Sequence, residues 1–232
     1  MSVAVILLHG FTHTGRSWEP VVKALGERYR PIAPDIRGHG AASGRQPITL
    51  EAVIGDIASL ASGSSTLVGY SMGGRIALHV ALALPERVER LVLIGASPGI
   101  ADRAERAARR EADERLAGRI EQLPIEEFAR EWASNPILAG QPGWLHEDRL
   151  RNTPAGLAHA LRGLGTGALP ALWDRLAQLR MPVVLVVGER DQKFRAIAEE
   201  MADAISDAQV VAVPGVGHAV HLEAPQAVAD LI

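Results

Sequence analysis

The chain has no cysteine, which excludes disulfide staples, a thiolate nucleophile and any cysteine-based zinc site. It has no excess of positive charge either. A formal net charge of -3 argues against nucleic acid as a partner, since such a surface is normally basic with clustered Lys and Arg. No apolar run approaches the roughly 20 residues a membrane-spanning helix needs. The longest opening run, VAVILL at 3–8, lacks a basic region in front and a cleavage site behind, so the expectation is a cytoplasmic protein with no membrane partner. The eight histidines form no HExxH pattern, and there is no nucleotide-binding loop, so neither a metal nor a cofactor is expected. Internal repeats and low-complexity tails are also absent. Lysine is nearly so, with 2 against 22 arginines, and arginine is the better bidentate partner for carboxylates.

What is present is a chain of 232 residues, 47% apolar and 22% charged, long enough to bury one sizeable core. Short β-branched runs alternate with amphipathic segments, the pattern of a mostly parallel sheet covered by helices on both faces. Strands are predicted at 3–10, 31–35, 65–70, 90–97, 181–189 and 209–215. Helices are predicted after a Ser17 cap, from Thr49 to about Leu60, from Ser71 to Leu84, and at 193–205 and 225–232. The stretch 98–172 breaks the rhythm, being helical, polar and rich in Arg, Glu and Trp. It reads as a cap inserted over the carboxyl edge of the sheet, where open α/β sheets bind ligands. The expected organisation is therefore a core of 1–97 and 173–232 with a lid of 98–172.

Within this frame GYSMGG at 69–74 stands between an apolar strand and a helix. A residue forced to turn sharply there needs small neighbours two before and two after it, which Gly69 and Gly73 supply. Such a turn lifts the Ser71 hydroxyl above the sheet and aims the first amides of the next helix at whatever binds. A GxSxG pentapeptide alone is weak, because glycine-rich turns also serve packing. A serine hydroxyl at neutral pH further needs a base and an orienting carboxylate at later strand ends. Asp191 follows VVLVVGE by two residues, and His218 lies just past QVVAVP. Taken singly, each has a bland alternative as a solvated loop acid or a loop histidine. His221 is a close rival of His218, and the His-x-x-His spacing leaves a metal pair open as a second reading. After the first strand, Gly10 in HGF allows a turn that brings the amide of Phe11 beside that of Met72, two donors for a developing oxyanion.

HGF, APDIRGHG, GYSMGG, GERD and GVGHAVHLEAP, in that order, resemble the α/β-hydrolase superfamily over the whole length. Within the cap, SPGIADRAERAARREAD at 97–113, EWASNPIL at 131–138 and RLRNTPAGLAHALRGLGTG at 149–167, with GERDQKF at 188–194, resemble more narrowly the 2-succinyl-6-hydroxy-2,4-cyclohexadiene-1-carboxylate synthase family of menaquinone biosynthesis. That resemblance implies a lyase in which the Ser-His-Asp set removes a proton from 2-succinyl-5-enolpyruvyl-6-hydroxy-3-cyclohexene-1-carboxylate and pyruvate is eliminated. It implies that Arg75, Arg109 and Arg149 bind the carboxylates of this polycarboxylate, with Tyr70, Trp132, Lys193 and Phe194 as further substrate-binding residues. Pattern alone does not choose between Arg109 and Arg110, and Lys193 could instead cap the next helix. Leu169 stands where the family has glutamine, and the last helix stops early at Ile232. A carboxylesterase, a carbon-carbon hydrolase of a small anionic substrate and a catalytically silent receptor are the alternatives on the same fold. Oligomeric state is open.

Overall fold

The computed structural model describes residues 3–232. Six strands, β1 (Val3–Leu8), β2 (Tyr29–Ile32), β3 (Ser65–Tyr70), β4 (Val88–Ile94), β5 (Val183–Gly188) and β6 (Ala208–Val213), form one sheet in the order β2-β1-β3-β4-β5-β6. Every neighbouring pair is parallel. Alternate residues of each central strand feed different cores. Ile6, Leu8, Leu67, Leu91, Leu93 and Leu185 join one cluster, while Val5, Leu7, Val68, Val92, Ile94 and Val184 join the other. Both faces are apolar because both are covered, as parallel crossovers require. The strand order reverses direction between β1 and β3, and open α/β sheets bind ligands beyond the carboxyl ends of such strands.

The helices are α1 (Glu19–Leu25), α2 (Leu50–Ala58), α3 (Met72–Ala83), α4 (Arg103–Gln122), α5 (Ile125–Ala133), α6 (Leu145–Arg149), α7 (Pro154–Leu164), α8 (Gln192–Ala204), α9 (Val220–Glu223) and α10 (Pro225–Ala229). Helices α4 to α7 all lie between β4 and β5. They share a small apolar cluster of their own, including Ile120, Phe128, Leu157 and Leu161, against which Phe11 and Trp132 pack. Buried polar contacts also tie this segment to the loop after β1. Asp148 accepts from the Thr14 amide at 2.9 Å, and Asn152 donates to the Thr12 carbonyl at 2.8 Å.

Three local readings of the sequence need correction. The second strand ends at Ile32 instead of reaching Asp35, because the Asp35 carboxylate leaves the sheet to accept from the amides of Gly15 at 2.8 Å and Ala41 at 2.7 Å. Thr14, not Ser17, makes the first cap, accepting from the Arg16 amide, while the Ser17 hydroxyl donates back to the Thr14 carbonyl at 2.9 Å. The helix expected at 225–232 is shorter, α10 ending at Ala229, and a separate short helix, α9, precedes it across Ala224, where the backbone is not helical (φ -140°, ψ 63°) ahead of Pro225.

Histidines in this interior carry a cost in acid. Burial, then the nearby His9, pushes His39 down to about 3, and burial, then His218, pushes His221 down to about 3. Burial also holds His13 well below its ordinary value. These groups are neutral in the folded chain, whereas the unfolded chain takes up protons below about pH 6.5. The native state is therefore unpenalised above that pH and loses up to about 1.4 kcal/mol per pH unit for each such histidine below it. Thermal unfolding followed from pH 8 to 4.5 should show a plateau, then a fall beginning near pH 6.5. Neither ring nitrogen of His221 has a partner among the described residues, so His221→Phe should flatten that fall, and an unchanged profile would refute this assignment.

Candidate active site

Ser71 sits at φ 51° and ψ -109°, between β3 and α3, a backbone conformation that costs a non-glycine residue of order 1 to 3 kcal/mol. The turn is held by the Ser71 amide donating to the Ile94 carbonyl at 2.9 Å and by the Arg75 amide donating to the Ser71 carbonyl at 3.1 Å. The flanking glycines are required by space. A Cβ on Gly69 would lie 2.5 Å from the Gly73 carbonyl oxygen, and one on Gly73 would lie 2.2 Å from the Leu8 carbonyl oxygen. Since the clash is with backbone at the sheet's centre, Gly73→Ala should lower the melting temperature by more than ten degrees or prevent folding. A variant with parent-like melting would show that the turn can relax.

The carboxylate and the base arrive from later strand ends. Asp191, N-cap of α8 and 8% exposed, uses both oxygens: Oδ1 accepts from the Phe194 amide at 3.3 Å, and Oδ2 meets His218 Nδ1 at 2.6 Å. His218 Nε2 lies 3.3 Å from Ser71 Oγ. The Asp191 bond fixes the tautomer that leaves Nε2 bare toward the serine. Glycine makes room for the ring, since a Cβ on Gly95 would come within 2.7 Å of His218 Cε1. Phe194 and Tyr70 pack on the imidazole, with ring centroids 4.5 and 5.2 Å away.

His221, the rival, is buried against Tyr70 and Trp18 instead. Among the described residues no group of three His, Cys, Asp or Glu side chains is placed to hold a metal ion. Among the described residues, the amides of Phe11 and Met72 have no hydrogen-bond acceptor. Met72 is the first residue of α3, where such an amide is free by construction.

A cavity of about 380 Å³ opens above the serine. Ser71, His218, Phe11, Met72 and Tyr70 form its floor, and Arg75, Arg109, Trp132, Lys193 and Phe194 stand on its walls. Arg109, not Arg110, is the one of that pair that lines it. Arg75 is buried, donates to the Leu164 carbonyl at 3.3 Å and leaves Nε without a partner among the described residues. Burial, then the neighbouring Arg109, lowers its guanidinium to about 10, the mark of a cation short of an anion. Trp132 fits both of its possible roles, meeting Phe11 edge-on at 5.2 Å and Phe128 at 5.7 Å while facing the cavity. Lys193 lies in the first turn of α8, but the cap there is Asp191.

Arg149 is the exception. It is buried, does not line this cavity, and its Nη2 donates to Gln141 Oε1. The physical reason is that α6 is pinned to the loop after β1 through the neighbouring Asp148 and Asn152. Leu169 is buried away from the cavity. Sequence reasoning missed His13, a cavity-lining imidazole stacked on Tyr70 at 5.6 Å, and Asp113, a buried acid bound to Arg109. For His13 the sequence carries no signal, whereas Asp113 lies four residues after an arginine on one helix face, which is a usable one.

The model of the alpha/beta hydrolase family matches residues 5–231. A Bacillus subtilis (strain 168) protein provisionally named 2-succinyl-6-hydroxy-2,4-cyclohexadiene-1-carboxylate synthase is 38% identical, over 97% of this chain and 87% of that protein. The Salmonella paratyphi C (strain RKS4594) protein of that name is 32% identical, over 98% of this chain and 91% of its own. Among solved structures, MenH from S. aureus superposes with a TM-score of 0.93 at 30% identity, covering 99% of this chain and 91% of that one. This chain belongs to the alpha/beta hydrolase family, among its 2-succinyl-6-hydroxy-2,4-cyclohexadiene-1-carboxylate synthases.

Proposed function

We propose that the protein is a 2-succinyl-6-hydroxy-2,4-cyclohexadiene-1-carboxylate synthase acting in menaquinone biosynthesis, with residues 98–172 serving as the lid over its active site. The observation that carries this reading is a cavity with two arginines and a lysine on its walls and a serine and histidine on its floor, the histidine backed by Asp191. A neutral ester has no use for such walls, while a substrate with three carboxylates does.

In the reaction, His218 Nε2 takes the Ser71 proton and the serine oxygen removes a proton from the ring carbon of 2-succinyl-5-enolpyruvyl-6-hydroxy-3-cyclohexene-1-carboxylate. The electron pair left behind forms a C2–C3 double bond, the existing C3–C4 double bond shifts to C4–C5, and the C5–oxygen bond to the enolpyruvyl group breaks. The departing enolate takes a proton and becomes pyruvate. Asp191 holds the imidazole and stabilises its charged form. The amides of Phe11 and Met72 meet the negative charge that develops on oxygen. Arg75, Arg109 and Lys193 hold carboxylates so that the reacting carbon stands over Ser71, while Tyr70, Trp132 and Phe194 shape the pocket. Arg149 acts from outside the cavity wall, where its Nη2 donates to Gln141.

Incubating the protein with the enolpyruvyl substrate and following pyruvate with a coupled reductase tests the assignment. Rapid pyruvate release supports it, and release at the uncatalysed rate refutes it. No step uses a metal, so turnover should survive exhaustive dialysis against a chelator. A loss that zinc or magnesium restores would contradict the mechanism.

A further inference from the structure

Asp113, on α4, is only 5% exposed and carries a carboxylate the chemistry above does not use. Its Oδ1 accepts from Arg109 Nε at 2.7 Å, and its Oδ2 accepts from the Gly167 amide at 3.3 Å. The turn that supplies this amide is pressed against the acid, since a Cβ on Gly165 would stand 2.8 Å from Asp113 Oδ2. The same turn is gripped from the other side by Arg75, which donates to the Leu164 carbonyl. Gly165 and Thr166 line the reaction cavity between these two grips.

An ordinary i,i+4 pair on an exposed helix is worth a few tenths of a kcal/mol and positions nothing. This one differs in two respects. The acid is buried, so it must be fully bonded to be tolerated, and one of its two bonds leaves the helix for a cavity-lining turn. A guanidinium offers two edges, and a carboxylate bound at Nε occupies one side of the fork and leaves the Nη groups for a second partner.

We propose that Asp113 is a positioning residue of this site: it fixes Arg109 by its Nε so that the Nη groups present one fork to a substrate carboxylate beside Arg75, and it anchors that fork to the 164–167 turn. Two arginine charges and one aspartate leave the corner one positive charge in excess, which a single carboxylate balances. The inference rests on the proposed polycarboxylate substrate for its role in turnover, but not for the geometry itself.

The test is a double-mutant cycle of Asp113→Asn and Arg109→Ala, read by pyruvate release and, independently of turnover, by calorimetric binding of propane-1,2,3-tricarboxylate. Asp113→Asn should raise KM about 10-fold with kcat changed less than 3-fold, and should weaken tricarboxylate binding similarly. The double variant should be no worse than Arg109→Ala alone, because Asp113 acts through that arginine. Losses that multiply would mean a structural role only and overturn the proposal, as would parent-like KM and binding in Asp113→Asn. Should Asp113→Asn fail to fold, Asp113→Glu keeps the charge and should give an intermediate KM, while a KM equal to the parent's would count against a geometric role. If the parent releases no pyruvate yet binds tricarboxylate with the same non-additive pattern, the proposed function fails and the role of Asp113 stands. If the parent neither releases pyruvate nor binds the tricarboxylate, both fall.

Discussion

Ser71→Ala, His218→Ala and Asp191→Asn should each reduce pyruvate release by about 10³- to 10⁶-fold while leaving the folded structure intact. The size of the effect follows from geometry: the three groups form one file, 2.6 Å from Asp191 to His218 and 3.3 Å from His218 to Ser71, so removing any member disables the others. Combining two substitutions should therefore cost little more than the worse of them alone. Asp191→Asn should stand apart in one respect. Its Oδ1 caps α8 by accepting from the Phe194 amide, a role asparagine can keep, so stability should fall by less than about 1 kcal/mol while turnover collapses. Near-parent turnover in a folded Ser71→Ala protein would sink the mechanism.

Arg75→Ala should cut kcat/KM by about 10- to 100-fold, matching the ~1.5 to 3 kcal/mol of a charge-assisted hydrogen bond to a carboxylate. It should also raise the melting temperature of the unliganded protein, because it removes a buried cation whose Nε has no partner. Opposite signs in activity and stability are the signature of a group kept for its ligand. Arg75→Lys should recover little, since a point charge cannot make two parallel bonds. Arg109→Ala should fall in the same range, and Arg149→Ala should cost less, because its side chain lies off the cavity wall. Should Arg149→Ala prove the most damaging of the three, the third carboxylate lies where this cavity does not reach. Hydrolysis of a neutral aryl ester, measured beside pyruvate release on the same variants, separates the lyase from an esterase, for which the arginines would be immaterial.

Much of the fold and of the site is legible in the sequence, and the reasons are local. Gly69 and Gly73 announced a turn because only a missing Cβ fits there, and Asp191 could be found because it trails a wholly buried strand. The central strands are readable because burial on both faces fills them mostly with apolar side chains. Where the reading slipped, a distant partner decided the outcome. Asp35 abandons the second strand to hold the amides of Gly15 and Ala41. Thr14 takes the cap from Ser17, and its own amide and hydroxyl go to Asp148, 134 positions away. Arg149, which the family resemblance gives as a carboxylate-binding residue, lies off the cavity wall, because α6 is stitched to the loop after β1 and its guanidinium meets Gln141. No periodicity in a sequence reports such long-range captures.

The contorted backbone at position 71 sets stability and chemistry against each other. Only the side chain makes the conformation expensive, so Ser71→Gly should be the more stable protein by roughly 1 kcal/mol, even after the added entropy of the unfolded glycine. A lineage that no longer needed the reaction would drift downhill at this one codon, gaining robustness with each generation that kept the change. Serine at position 71 is thus a standing tension that only a working enzyme has reason to maintain.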